Sequence, residues 1–246
     1  MPESAPPLQA AARERYTPRL ALNLSAAAER PVSDVILELR ALRCERDDRM
    51  LFDGLDLQLC AGEALQLRGA NGAGKTTLLR CIGGLHPDHD GEIRVAPAPG
   101  GGAAGANMLF IGHRPGLSSG LTAGENLRWH QQLGGHAADP AAVSRALERV
   151  GLGGWDDVPC VQMSAGQQRR VALARMVLIG ARVQLWLLDE PFTALDDDGV
   201  ALVVALMRAH LLADGAVVFA THQAVTDLPG LRTLRIDAGR ARLEAA

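Results

Sequence analysis

At 246 residues and a formal net charge of −3, the chain suits one large domain or a domain with a subsidiary subdomain, and its charge gives no case for nucleic acid as the main partner. Apolar residues make up 48%, enough for a substantial core, yet no uninterrupted run approaches the length of a membrane-spanning helix, so a membrane role would come through a partner. Cys44, Cys60, Cys81 and Cys160 are far apart with no C-x-x-C pair, which reads as buried small hydrophobes in a reducing compartment.

Residues 1–33 are dominated by Ala, Pro and Arg, and Pro2, Pro6, Pro7, Pro18 and Pro31 interrupt helical continuity. No compact apolar region follows the start, which disfavours a secretory signal, and Glu3, Glu14 and Glu29 weigh against a transit peptide. The expectation is a disordered tail or a start codon placed too early. Order is expected from about residue 34, with strands over 35–39 and 55–59 joined by a polar turn at Arg46-Asp47-Asp48-Arg49.

A third strand, Ala64-Leu65-Gln66-Leu67, leads into Gly69-Ala70-Asn71-Gly72-Ala73-Gly74-Lys75-Thr76-Thr77, which fits the phosphate-loop pattern G-x-x-x-x-G-K-[ST]. An apolar helical run, Leu78-Leu79-Arg80-Cys81-Ile82, follows and ends near Gly83-Gly84. This order serves the chemistry. Glycines let backbone N–H groups turn inward around phosphate oxygens, and the helix start adds unpaired N–H groups and a positive dipole end. Lys75 then reaches the outer phosphates, and the Thr76 hydroxyl can ligate magnesium.

A short strand at 91–95 precedes residues 96–106, almost wholly Ala, Pro and Gly and read as a flexible loop. Met108-Leu109-Phe110-Ile111 reads as a buried strand, followed by Gly112-His113-Arg114-Pro115-Gly116. Thr122-Ala123-Gly124-Glu125 is a capping box, and 141–150 has apolar residues at helical spacing, so 116–160 reads as a mostly helical insertion. His86, His89, His130 and His136 stand in polar or turn contexts and read as surface residues.

Ser164 with Gln167 three residues on is a second capping box. With Gly166 in the first turn, that helix start is a second potential phosphate site, although an ordinary capped helix is the plainer account of it alone. Two later motifs change the balance. Residues 183–190 form an apolar strand ending in Asp189-Glu190, and ligands in a parallel sheet bind at the carboxyl ends of strands. Asp189 would hold magnesium, and Glu190 would orient and polarise an attacking water. Pro191-Phe192-Thr193-Ala194-Leu195-Asp196 then leads to a helix over about 197–212. The strand Ala216-Val217-Val218-Phe219-Ala220-Thr221-His222 ends in a histidine on the same edge, placed for a γ-phosphate contact.

Taken in order, these motifs resemble the ATP-binding cassette ATPases over roughly residues 35–243. The resemblance implies an α/β fold: a P-loop NTPase core with an antiparallel β subdomain and an inserted α-helical subdomain. Gly69 to Thr77 becomes the Walker A loop, and Ser164-Ala165-Gly166-Gln167 the signature motif. Asp189 and Glu190 become the Walker B pair, Asp196 the D-loop aspartate and His222 the switch histidine. It also implies ATP and Mg2+ as ligands. Two cassettes would pair head to tail, each signature touching the γ-phosphate held by the other's Walker A loop.

The departures narrow the resemblance. His113 stands where the family's Q-loop glutamine is usual, Arg46 where an adenine-stacking aromatic is usual, and Ala165 where the signature usually has Gly. The planar Arg46 guanidinium can itself stack on adenine. With Cys44-Glu45-Arg46-Asp47 and Glu190-Pro191-Phe192-Thr193-Ala194-Leu195-Asp196, the set is similar to the ATP-binding subunits of cytochrome c biogenesis (haem exporter) transporters. That implies a homodimer of cassettes at the cytoplasmic face of a bacterial inner membrane, energising an integral membrane permease subunit alongside haem-handling cytochrome c maturation proteins. The alternatives at this stage are another small-solute or lipid transporter ATPase and a soluble ATPase in metal-cluster assembly.

Overall fold

The computed structural model describes residues 34–97, 107–135, 137, 139–237 and 239–244. The expectations for 1–33, for most of the 96–106 loop and for His136 lie outside the described residues. The chain runs β1 (Val35–Arg46), β2 (Arg49–Cys60), β3 (Ala64–Arg68), α1 (Lys75–Ile82), β4 (Asp90–Val95), β5 (Met108–Ile111), α2 (Ala123–Leu133) and α3 (Pro140–Arg149). It continues through α4 (Ala165–Leu178), β6 (Leu185–Asp189), α5 (Asp197–Leu212), β7 (Ala216–Ala220), β8 (Leu231–Asp237) and β9 (Arg240–Leu243).

Six strands form a sheet in the order β5-β6-β7-β3-β8-β9, parallel except for the β8–β9 pair. β6 and β7 are buried along their whole length, as their unbroken apolar runs require when a parallel sheet is covered on both faces. Alternate residues feed two cores. Leu185, Leu187 and Val218 pack with Leu78 and Leu79 of α1 and with the second sheet, whereas Trp186, Leu188, Val217 and Phe219 pack with the helices α2 to α5.

The second sheet is antiparallel, in the order β2-β1-β4. Its first two strands extend well beyond the expected 35–39 and 55–59. β1 passes a left-handed residue at Ala41 (φ 45°), and register shifts on either side of Leu42 reset its alternation. The hairpin closes through Asp47 and Asp48, both at positive φ (52° and 56°), the conformation that matches the twist of paired strands. Arg46 is thereby fixed at the hairpin tip.

α2 begins at Thr122 with both hydrogen bonds of its capping box formed, and α3 begins at Asp139 with Pro140 in its first turn. The four cysteines are free and buried. The surface reading of the histidines is corrected. His130 is half-buried against α4, and burial together with the nearby Arg175 guanidinium pushes its pKa down to about 4. His86 and His89 are only partly exposed, and each has one ring nitrogen buried without a hydrogen-bond partner.

Candidate nucleotide site

The phosphate loop leaves the carboxyl end of β3 and becomes α1. Two of its three glycines, Gly69 and Gly74, are set close against neighbouring atoms. A Cβ at Gly69 (φ 148°) would fall on the Ile236 carbonyl oxygen, and one at Gly74 (φ 110°) would lie 3.2 Å from the Leu51 side chain. Gly74 is also the N-cap of α1 and gives it no side-chain cap, so the first N–H groups of the helix remain available to an anion. The Lys75 ammonium folds over its own loop and donates to the carbonyls of Gly69 (2.7 Å) and Ala70 (3.0 Å).

Above the loop is an open pocket of about 650 Å3 lined by Asn71, Gly72, Gly74, Lys75, Thr76 and Thr77. Asp189, Glu190 and Thr193 line it from the end of β6, His222 from the end of β7, His113 from the end of β5 and Arg46 from the hairpin tip. Residues widely separated in sequence thus converge on the carboxyl edge of one sheet. The Thr76 hydroxyl lies 3.1 and 3.0 Å from the two carboxylate oxygens of Asp189, which is 2% exposed.

Glu190 adopts a left-handed backbone (φ 50°), a conformation costing about 1–2 kcal/mol for a residue with a side chain. It is held there from both sides. Its N–H donates to the Ala220 carbonyl at 2.9 Å, and its carbonyl accepts from Arg169 at 2.7 Å. The side chain reaches within 3.5 Å of His222 Nε2.

Arg169 is the residue that sequence reasoning missed. Buried at 3% exposure, its guanidinium donates to the carbonyls of Gly112 (2.7 Å), Glu190 (2.7 Å), Asp189 (3.2 Å) and Pro191 (3.4 Å). Burial lowers its pKa, against the opposing pull of the Asp189 and Glu190 carboxylates. One side chain on α4 therefore joins the segment carrying His113 to the strand end carrying Glu190. The only sequence signal was an Arg doublet after the second capping box.

Ser164, Gly166 and Gln167 do not line this pocket. Ser164 is exposed, and its hydroxyl and the Gln167 side chain cap α4 reciprocally at 3.2 and 2.8 Å. Asp196 likewise faces away: it caps α5 through Gly199 N–H at 3.0 Å and pairs with Arg170 of α4, which together hold its carboxyl below the usual range.

An uncapped phosphate loop facing a Thr–Asp pair, with a glutamate and a histidine beside it, defines a nucleotide-binding cassette. The ABC transporter family matches residues 52–193. A solved ATP-binding cassette, in a dimeric post-hydrolysis state with ADP and phosphate, superposes with TM-score 0.73 at 22% identity, covering 85% of this chain and 98% of that one. Closer in sequence are proteins named cytochrome c biogenesis ATP-binding export protein CcmA. That of Saccharophagus degradans is 45% identical over 208 residues, 81% of this chain and 92% of the relative. That of Pseudomonas savastanoi pv. phaseolicola is 48% identical over 196 residues, 78% of this chain and 91% of the relative. The chain belongs to this family of ABC transporter ATP-binding proteins.

Proposed function

We propose that the chain is the ATP-hydrolysing subunit of a membrane transport complex serving c-type cytochrome assembly, and that it works as a pair of identical cassettes. The observation that carries the ATPase reading is the convergence of Lys75, Thr76, Asp189, Glu190 and His222 on one open pocket. The chain binds ATP with its phosphates in the loop of residues 69–77. Lys75 exchanges its two backbone carbonyls for phosphate oxygens, a charge-assisted contact. Arg46, exposed at the hairpin tip, stacks on adenine.

The paired Thr76 hydroxyl and Asp189 carboxylate are hard oxygen donors and fit Mg2+, which keeps much of its shell for water and phosphate. When bound, the ion would neutralise charge on the β- and γ-phosphate oxygens. Glu190, aimed by its left-handed backbone, takes the proton of the attacking water. His222 contacts the γ-phosphate while remaining beside that carboxylate.

Ser164, Gly166 and Gln167 lie outside the pocket of their own chain, which supports their meeting the γ-phosphate held by a second copy. Among the described residues no helix is long and apolar enough to cross a membrane. Residues 116–160 carry the docking surface for a permease subunit, and Trp129 and Leu133 of α2, 49% and 65% exposed, are apolar side chains available to it. His113 is the link. It lines the pocket, and its neighbour Gly112 is bonded to the helix α4 that packs against α2 and α3. Placement at the cytoplasmic face of a bacterial inner membrane, with haem-handling partners, is part of the same reading.

The test is co-purification from detergent-solubilised membranes with tagged full-length Glu190→Gln protein held with ATP. Recovery of a polytopic membrane protein with haem-handling proteins is expected. Recovery only from the soluble fraction, with scaffold proteins, would contradict the transport assignment.

A further inference from the structure

A second cluster of chemistry-bearing side chains lies behind the nucleotide pocket, on the other end of α1. Cys44 on β1 is 1% exposed, and Cys81 in the last turn of α1 is 2% exposed. His86 follows in the turn after that helix. One ligand atom from each of the three, two sulfurs and an imidazole nitrogen, lies within 4.8 Å of the other two. Residues 37 and 42 positions apart along the chain are brought together by the packing of β1 on α1.

Two buried cysteines alone are ordinary small apolar residues. The histidine is what this account leaves out. The Cys44 thiol has the Asp88 carbonyl as an acceptor at 3.6 Å, but His86 Nε2 is buried with no hydrogen-bond partner. A buried imidazole nitrogen left unpaired keeps its desolvation cost with no hydrogen bond to offset it. His89 in the same turn repeats the anomaly, with Nδ1 buried and unpaired. Cys44 and His89 also line a small surface hollow with Pro87 and Asp88, which gives the cluster a path to solvent.

We propose that Cys44, Cys81 and His86 form a structural site for a zinc ion. Thiolate and imidazole are the donors zinc takes in closed structural sites. Charge decides against copper(I): two thiolates and a neutral imidazole cancel a divalent ion but leave a buried net charge around a monovalent one. Tetrahedral ligation at Zn–S of about 2.3 Å sets sulfur atoms roughly 3.8 Å apart, so closing on an ion takes side-chain shifts of at most about an ångström. Both thiol protons leave to water on binding. The ion would fasten the strand that carries Arg46 to the helix that begins at Lys75, bracing both walls of the nucleotide pocket without entering it.

The experiment loads the reduced, full-length chain with Co2+ or Zn2+ alone and desalts it. One retained equivalent per chain, a sulfur-to-cobalt charge-transfer band and a rise in Tm with zinc are expected. Cys81→Ser and His86→Gln should each weaken affinity by about a hundredfold or more, the upper end of what loss of even an outer-shell partner costs. Cys60→Ser and Cys160→Ser should leave it unchanged. His86→Gln keeps the buried sulfurs in place, so it remains informative where Cys81→Ser fails to fold. No retained metal in the reduced wild-type chain, equal affinity in His86→Gln, or uptake of copper(I) without zinc or cobalt would overturn the assignment.

Discussion

Two helix starts in this chain carry phosphate-binding potential, and they are built in opposite ways. α1 begins at a left-handed glycine with no side-chain cap, so its N–H groups point into the pocket unsatisfied by the protein. α4 begins at Ser164 with a complete capping box, which bonds the Gln167 N–H and the Ser164 N–H within the chain. An uncapped start is costly to leave unoccupied and is therefore committed to a ligand, whereas a capped start is stable alone and can be offered to a partner. The division of labour proposed for the paired cassettes, permanent cradle and docked contact, follows from that difference. Arg169 connects the two, because it belongs to α4 but bonds the backbone of the strand end that faces α1.

The largest effect is expected on the cradle side. Glu190→Gln should cut hydrolysis by about a hundredfold or more, the usual contribution of a general base, while ATP binding is retained. Single-turnover assays with a binding control check this, and wild-type turnover would remove Glu190 from its role. Lys75→Ala should weaken ATP binding by roughly ten- to a hundredfold, the worth of a charged hydrogen bond, and titration with a fluorescent nucleotide would read it. Undiminished affinity would contradict the phosphate-loop reading.

Arg169→Met should break the connection between the two starts. It strands buried carbonyls at Gly112, Asp189, Glu190 and Pro191, so a loss of stability of about 2–4 kcal/mol is expected, with hydrolysis falling more than ATP affinity. Equal losses of both would reduce Arg169 to a packing residue. The smallest effect concerns pH. His130 and His210 are both pushed from 6.5 to about 4, chiefly by burial, so the folded chain favours their neutral forms. The unfolded chain binds protons first as pH falls, and stability is lost progressively from about pH 6.5 down to 4. Urea midpoints across that window should decline, and His210→Gln should flatten the slope. A flat wild-type profile would contradict the assignment.

Most of the cradle was legible because its parts are local. The loop at 69–77, the strand ending at Asp189 and both capping boxes lie in short contiguous stretches whose residue types are dictated by backbone geometry. The helix expected over about 197–212 is α5, Asp197–Leu212, for the same reason. β1 was read too short because its alternation is reset around Ala41 and Leu42, and a period-two pattern cannot be followed across a bulge. β8 and β9 were not anticipated. Interleaved Arg and Asp hide their alternation, which is set by pairing with β3 and by closing the sheet edge. Arg169, His130 and the Cys44–Cys81–His86 cluster were invisible for a different reason. Their character comes from burial among distant neighbours, and local sequence around an Arg or His reads as surface.

The claim that the capped helix start serves a second copy is tested most directly by the mass of the Glu190→Gln chain in solution, with and without saturating ATP. Light scattering should show a monomer that becomes a dimer when ATP is added, and Ser164→Arg in the same background should abolish that dimer while leaving nucleotide bound. A chain that remains monomeric with ATP bound, or a dimer indifferent to Ser164→Arg, would contradict the account.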